Sequence, residues 1–232
     1  MKNESKFTTQ KLVTLAMLSA IAFVLTALLH FPLVADAPFL KYDPKDFVLA
    51  IIGFIYGPVE VLMSAVVVCL IEMVTVSDSG PIGLLMNLLS SCAFALPACL
   101  LYRKSRNMKK AVIGLGLSVV CVTASMILWN YLVTPLYTGT PREAVAGMLI
   151  PIFLPFNMIK SCINSVITLL FYKPVVVALR KSGLVHERIR TAQTKEESGE
   201  TTKGKFKPSV VMFAGVAIFL VVIAVFYLFF LK

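Results

Sequence analysis

The chain has 232 residues, of which 58% are hydrophobic and only 15% charged, against roughly 25% charged in an ordinary soluble domain. Such a balance excludes a water-soluble globule, which needs far more polar surface to cover its core. The net charge of +10 does not indicate nucleic acid, because the basic residues sit in short hydrophilic gaps beside apolar blocks, the distribution of a membrane protein.

Those blocks reach about 20 residues, the length that spans hydrocarbon as a helix. Lipid offers the backbone no hydrogen-bond partners, so long apolar runs read as helices, and the alternating short segments of a transmembrane barrel are absent. The expected fold is an all-α integral membrane protein: a six-helix transmembrane bundle plus an additional C-terminal transmembrane helix. The first span covers residues 12–31 and is stopped by Pro32. It follows Lys2, Lys6 and Lys11 without a clear small-residue cleavage site, so it reads as a retained span rather than a signal peptide. A loop running to Asp46 precedes a short second helix at 47–56. Gly57-Pro58 breaks the chain before a third at 59–76. The fourth follows at 82–102, the fifth at 111–133 with Pro135 ending it, and the sixth at 148–179. A hydrophilic linker, 180–207, has the composition of disordered chain. The last apolar span, 209–231, carries no polar side chain between Met212 and Phe226 and reads as a lipid-facing anchor. The corresponding division is 1–179 for a six-helix membrane domain, 180–207 for the linker and 208–232 for the extra helix.

Loop charges set an expected orientation. The N-terminal tail, the loop with Arg103, Lys104, Arg106, Lys109 and Lys110, and the start of the linker are basic. The intervening loops are acidic or balanced, including Asp36, Lys41, Asp43, Lys45 and Asp46 in the first. By the positive-inside rule the N-terminus faces the cytoplasm of a multi-pass cell-membrane protein.

Polar groups inside spans are costly and therefore informative. In the sixth span Asn157, Lys160 and Asn164 fall at i, i+3 and i+7, on one helical face. Asn130, Glu72 and Asn87 lie at a similar depth in the fifth, third and fourth spans, near the outer surface. A pocket open to the outside would satisfy all of them. The competing reading is structural: single asparagines bridge helices, and Lys160 and Glu72 can pair with each other. Glu60 and His30, at span edges, read as solvated or interfacial. Five cysteines fall inside spans without metal-ligand spacing and read as small buried hydrophobes. No phosphate-binding loop, zinc-hydrolase motif or nucleophile with a base is present, so no catalytic or metal site is expected. Ala16 and Ala20 form a small-residue pair that permits close approach of another helix.

These residues carry a resemblance. Leu40-Lys41-Tyr42-Asp43-Pro44-Lys45-Asp46, Asn87 within Gly83-Leu84-Leu85-Met86-Asn87, Asn130-Tyr131 with Pro135-Leu136-Tyr137, and Pro155-Phe156-Asn157-Met158-Ile159-Lys160 are similar to the riboflavin-specific substrate-binding (S) components of energy-coupling factor (ECF) transporters. The resemblance covers about residues 11–179. It implies a bacterial vitamin importer subunit with riboflavin as cargo rather than redox cofactor, held in an outer pocket under the first loop. Glu72, Asn87, Asn130, Asn157, Lys160 and Asn164 would supply polar contacts, and Leu40, Lys41 and Tyr42 would lie against the vitamin. Ala16 and Ala20 would dock on a scaffold membrane subunit, and two cytoplasmic ATPases would supply the energy. The linker and seventh span depart from the family pattern. Alternatives are an S component for another vitamin or metabolite, an intramembrane enzyme, and a structural or signalling membrane protein.

Overall fold

The Thr8 hydroxyl accepts a hydrogen bond from the Lys11 amide at 3.3 Å and caps α1 (Thr9–Leu28). This helix stops earlier than expected. Pro32 disfavours helical geometry at Phe31, and Phe31–Pro32 (β1) instead pairs antiparallel with Lys41–Tyr42 (β2), Phe31 opposite Tyr42. The computed structural model describes residues 8–33, 37, 40–77 and 80–184; the expected last span and the linker from residue 185 lie outside them.

After the hairpin comes α2 (Lys45–Ile55), then α3 (Pro58–Thr75), α4 (Gly80–Ser105), α5 (Met108–Thr138), α6 (Arg142–Met148), a π-turn at Leu149–Phe153 and α7 (Leu154–Lys181). Gly57 joins α2 to α3 at φ +126, a conformation side chains rarely adopt, and Pro58 starts α3 with a fixed φ. Asn107 caps α5 by accepting from the Lys110 amide at 2.9 Å. That helix runs through Pro135 to Thr138 rather than ending before it. Proline interrupts a membrane helix less than a soluble one, because neighbouring groups take up the freed carbonyl.

At 1.5 Å per residue α2 is only about 16 Å long, half of a bilayer core of about 30 Å. Every residue of it is buried except the half-buried Phe47. It forms the centre of the bundle, with Leu49, Ile51 and Ile52 packed against Val61, Ala65 and Val68 of α3 and Phe94, Ala95 and Ala98 of α4. Gly53 permits that approach: a Cβ there would lie 2.8 Å from Val61 Cγ2 and 2.9 Å from Cys99 Cβ. The outward faces are apolar too, with Met17, Ile21 and Val24 of α1 and Leu62, Val66 and Leu70 of α3 exposed. A helix that is hydrophobic all round belongs in lipid. Among the described residues five segments are long and apolar enough to cross a membrane: α1, α3, α4, α5 and the joined α6–α7. The chain is an all-α membrane protein, and its described residues include the short β1–β2 hairpin.

Candidate functional site

The hairpin and the brevity of α2 have one consequence for the site. They bring charges of the first loop into the bundle instead of leaving them at its surface. Asp43, Lys45, Asp46, Glu72 and Lys160 are all buried, none more than 5% exposed. Lys45 Nζ lies 2.8 Å from Glu72 Oε2 on α3 and 3.2 Å from Asp43 Oδ2. Lys160 Nζ, on α7, donates to the same Asp43 Oδ2 at 3.1 Å and lies 3.8 Å from Asp46 Oδ2. Ser91 of α4 donates to Asp46 Oδ1 at 2.6 Å. Beside them the Tyr42 hydroxyl donates to Asn164 Oδ1 at 3.0 Å, and Asn164 Nδ2 donates to the Asp43 carbonyl at 3.4 Å. One network thus ties the loop and α2 to α3, α4 and α7.

Buried ions cost several kcal/mol each unless paired and hydrogen-bonded. Here Asp43 Oδ2 is shared by two ammonium groups. Burial by itself would raise the Asp43 carboxyl, but Lys160 and Lys45 outweigh it and hold the group down at about 2. Burial pushes the Tyr42 phenol up, with Asp43 and Asp46 adding to the shift, so it stays a protonated donor. Three carboxylates face two ammonium groups, which leaves an excess of acceptor capacity. Asp43 Oδ1 and Glu72 Oε1 are buried without a hydrogen-bond partner among the described residues. Such atoms cost about 1–3 kcal/mol each if left unsatisfied, so the cluster is chemically suited to a ligand that brings hydrogen-bond donors.

Of the residues singled out in the sequence, the structure gathers Tyr42, Glu72, Lys160 and Asn164 into this network. The structural pairing of Lys160 with Glu72 is not the one formed: Lys45 takes Glu72, and Lys160 takes the two aspartates. Asn130 and Asn157 are buried and donate to carbonyls one turn back, Met126 at 2.7 Å and Phe153 at 2.8 Å, while Asn130 Oδ1 accepts from Thr134. Asn87 is half-buried on α4. Leu40 is buried in a second apolar cluster with Ala37, Val145, Phe153 and Phe156, and Lys41 is half-buried. Ala16 and Ala20 are exposed on α1, opposite the buried Leu15, Leu18 and Ala22.

The sequence reading missed Asp43, Lys45, Asp46 and Ser91 as members of the cluster. The available signal was the length of the second helix: a 10-residue apolar run cannot cross the bilayer, so one of its ends must lie inside it. Glu60 also differs from expectation, being buried and ion-paired with Lys11. At the far end of α2, Phe54, Tyr102 and Tyr172 pack together, with centroids 4.5 Å apart for Phe54–Tyr102 and 5.4 Å for Phe54–Tyr172, and the two phenols share a hydrogen bond. The charged network and the aromatic group occupy opposite ends of the bundle.

Comparison with known proteins agrees with this architecture. A family model described as "ECF transporter, substrate-specific component" matches residues 10–172. The riboflavin transporter RibU of Staphylococcus aureus is 30% identical over 74% of this chain and 93% of its own length. The riboflavin transporter FmnP of Bacillus subtilis is 34% identical over 71% and 91%, respectively. RibU of Streptococcus thermophilus is 29% identical over 75% and 86%. A solved S component of a bacterial ECF transporter superposes with a TM-score of 0.63 at 32% identity, covering 72% of this chain and 96% of that one.

Proposed function

This chain belongs to the substrate-specific components of ECF transporters, and from that premise we propose that it captures riboflavin for import. Substrate-specific components are not enzymes, and riboflavin here is cargo. The observation that carries the reading is the buried network between the first loop, α2, α3 and α7, with acceptor atoms left over, in a chain similar to riboflavin transporters. A flavin offers apolar ring surface together with an imide N–H and several hydroxyl donors, a combination that a mostly apolar site with a few fixed polar groups can select. Leu40, Lys41, Tyr42, Glu72, Asn87, Asn130, Asn157, Lys160 and Asn164 form the proposed binding set. Asp43 and Lys45 hold the loop and Glu72 in place within it.

The reading extends to topology and partners. The N-terminus faces the cytoplasm and the hairpin faces outward. The short, buried α2 is the second of six helices in a substrate-binding unit, residues 1–179, and the linker at 180–207 leads to a seventh, membrane-spanning segment at 208–232. The exposed Ala16 and Ala20 dock on a scaffold membrane subunit, and two cytoplasmic ATPases drive release. Titrating riboflavin into the detergent-purified chain while following flavin fluorescence tests the cargo: saturable quenching is expected. Its absence in folded protein, with another vitamin raising the melting midpoint instead, would replace the assignment.

A further inference from the structure

The joined α6–α7 segment carries a π-turn, Leu149–Phe153, between α6, on which Ala37 and Leu40 of the first loop pack, and the polar residues of α7. The Leu154 amide donates to the Leu149 carbonyl, five residues back instead of four. Pro151 within the turn and Pro155 just after it have no amide hydrogen, so a regular ladder here would lose two bonds and meet two ring clashes. Turns of this kind are uncommon and cluster at functional sites.

Its effect is rotational. At about 100° per residue, an unbroken α-helix starting from Val145 would place Asn157 about 120°, Lys160 about 60° and Asn164 about 100° around the axis. A π-turn admits one residue beyond the α count, which turns everything after it back by about 100°. The three polar residues then fall within about 40° of Val145. The burial agrees, since Val145, Asn157, Lys160 and Asn164 all face the interior. One stretch of the first loop exploits the alignment. Ala37 and Leu40 pack on Val145 and Phe153, while Tyr42 and Asp43 bond Asn164 and Lys160. Without the phase shift the loop could not engage the apolar face of α6 and the polar face of α7 together.

We infer that the π-turn, set by Pro151 and Pro155, is a positioning device that brings the docking face of α6 and the polar face of α7 onto one side, so that the first loop closes over the ligand site. The binding readout rests on the riboflavin reading; a second readout does not. Ile150 is 76% exposed, so deleting it empties no core space. The deletion also removes the one residue beyond the α count, so an unbroken α-helix then keeps Asn157, Lys160 and Asn164 in phase with Val145. Deletion of Ile150 is therefore expected to bind riboflavin as wild type does, and Ile150→Ala, which keeps the residue count, should match it. One alanine inserted after Ile150 adds a second extra residue and turns α7 by about 100°. The insertion is expected to weaken riboflavin binding by at least about 10-fold, the loss from one withdrawn buried partner. It should also expose Leu40→Cys to an impermeant maleimide in ligand-free protein, above the background of the chain without that substitution, whereas the deletion should leave Leu40→Cys as protected as in wild type. A glycine added to the 139–141 connection lengthens the chain outside the helix and should match wild type. If the insertion does not yield folded protein, the deletion decides, because losing one residue from a regular helix would rotate α7 by the same angle. Wild-type labelling and affinity in the inserted chain, or exposed Leu40→Cys in the folded deletion, would overturn the inference. A wild-type chain that binds no riboflavin would defeat the cargo assignment alone, leaving the labelling result to decide this one.

Discussion

Lys160→Met probes the buried network most sharply. Lys160 Nζ is 3.1 Å from Asp43 Oδ2 and 3.8 Å from Asp46 Oδ2, and methionine keeps most of the side-chain length while removing the charge. The variant leaves three buried carboxylates facing Lys45 alone. Removing one partner of a buried pair costs about 3–5 kcal/mol. In a chain of this size each kcal/mol lowers the melting midpoint by about 2–4 °C, so ligand-free protein in detergent should melt about 6–20 °C lower. Combining it with Asp43→Asn also withdraws the orphaned charge. The double variant should therefore melt higher than Lys160→Met alone, a coupling that a thermal double-mutant cycle reads directly. Strictly additive shifts, or a change under about 2 °C for Lys160→Met, would refute the shared-carboxylate account.

Three further expectations follow from the same geometry. The Asp43 carboxyl is held at about 2, below the ordinary unfolded value of about 3.9. Its contribution to stability is complete above about pH 4 and is lost as pH falls toward 2. The melting midpoint of ligand-free protein should therefore fall with acid below about pH 4 less steeply in Asp43→Asn than in wild type; parallel acid profiles would contradict it. Gly53→Ala places a Cβ 2.8 Å from Val61 Cγ2 and should destabilise by about 1–3 kcal/mol through overpacking, read as a lowered melting midpoint; an unchanged midpoint would contradict the close approach of α2 to α3. Ala16→Trp, on the exposed side of α1, should abolish uptake in cells supplying the scaffold and ATPases while riboflavin affinity stays at the wild-type value. Normal uptake would remove α1 from the docking surface.

The spans were legible because lipid writes its demand locally, as runs of apolar residues. The polar face of α7 was legible for a related reason: Asn157, Lys160 and Asn164 keep helical spacing within one segment. What the loop charges do was not legible. Asp43 and Lys160 are 117 residues apart in sequence, and no local pattern says that an aspartate beside a span turns inward to meet a lysine on another helix. Counting Asp43, Lys45 and Asp46 as surface charge was reasonable for a loop, but the two-residue strands at 31–32 and 41–42 fold that loop into the bundle. Such strands are too short to leave an alternating signature. Pro135 misled, because it sits inside α5 without ending it. The π-turn at Leu149–Phe153 lies ahead of the polar face at Asn157, Lys160 and Asn164, so the spacing of those residues carries no trace of it.

The central claim is that this chain carries riboflavin in a site built on the first loop and α7. Its most direct test is to purify the protein in detergent from riboflavin-grown cells, denature it, and measure released flavin by absorbance and fluorescence against protein concentration. The account predicts close to one flavin per chain from wild type, and a large loss from Lys160→Ala and Asn157→Ala in protein that remains folded. Folded wild-type protein that releases no flavin, and quenches none when riboflavin is added back, would contradict it.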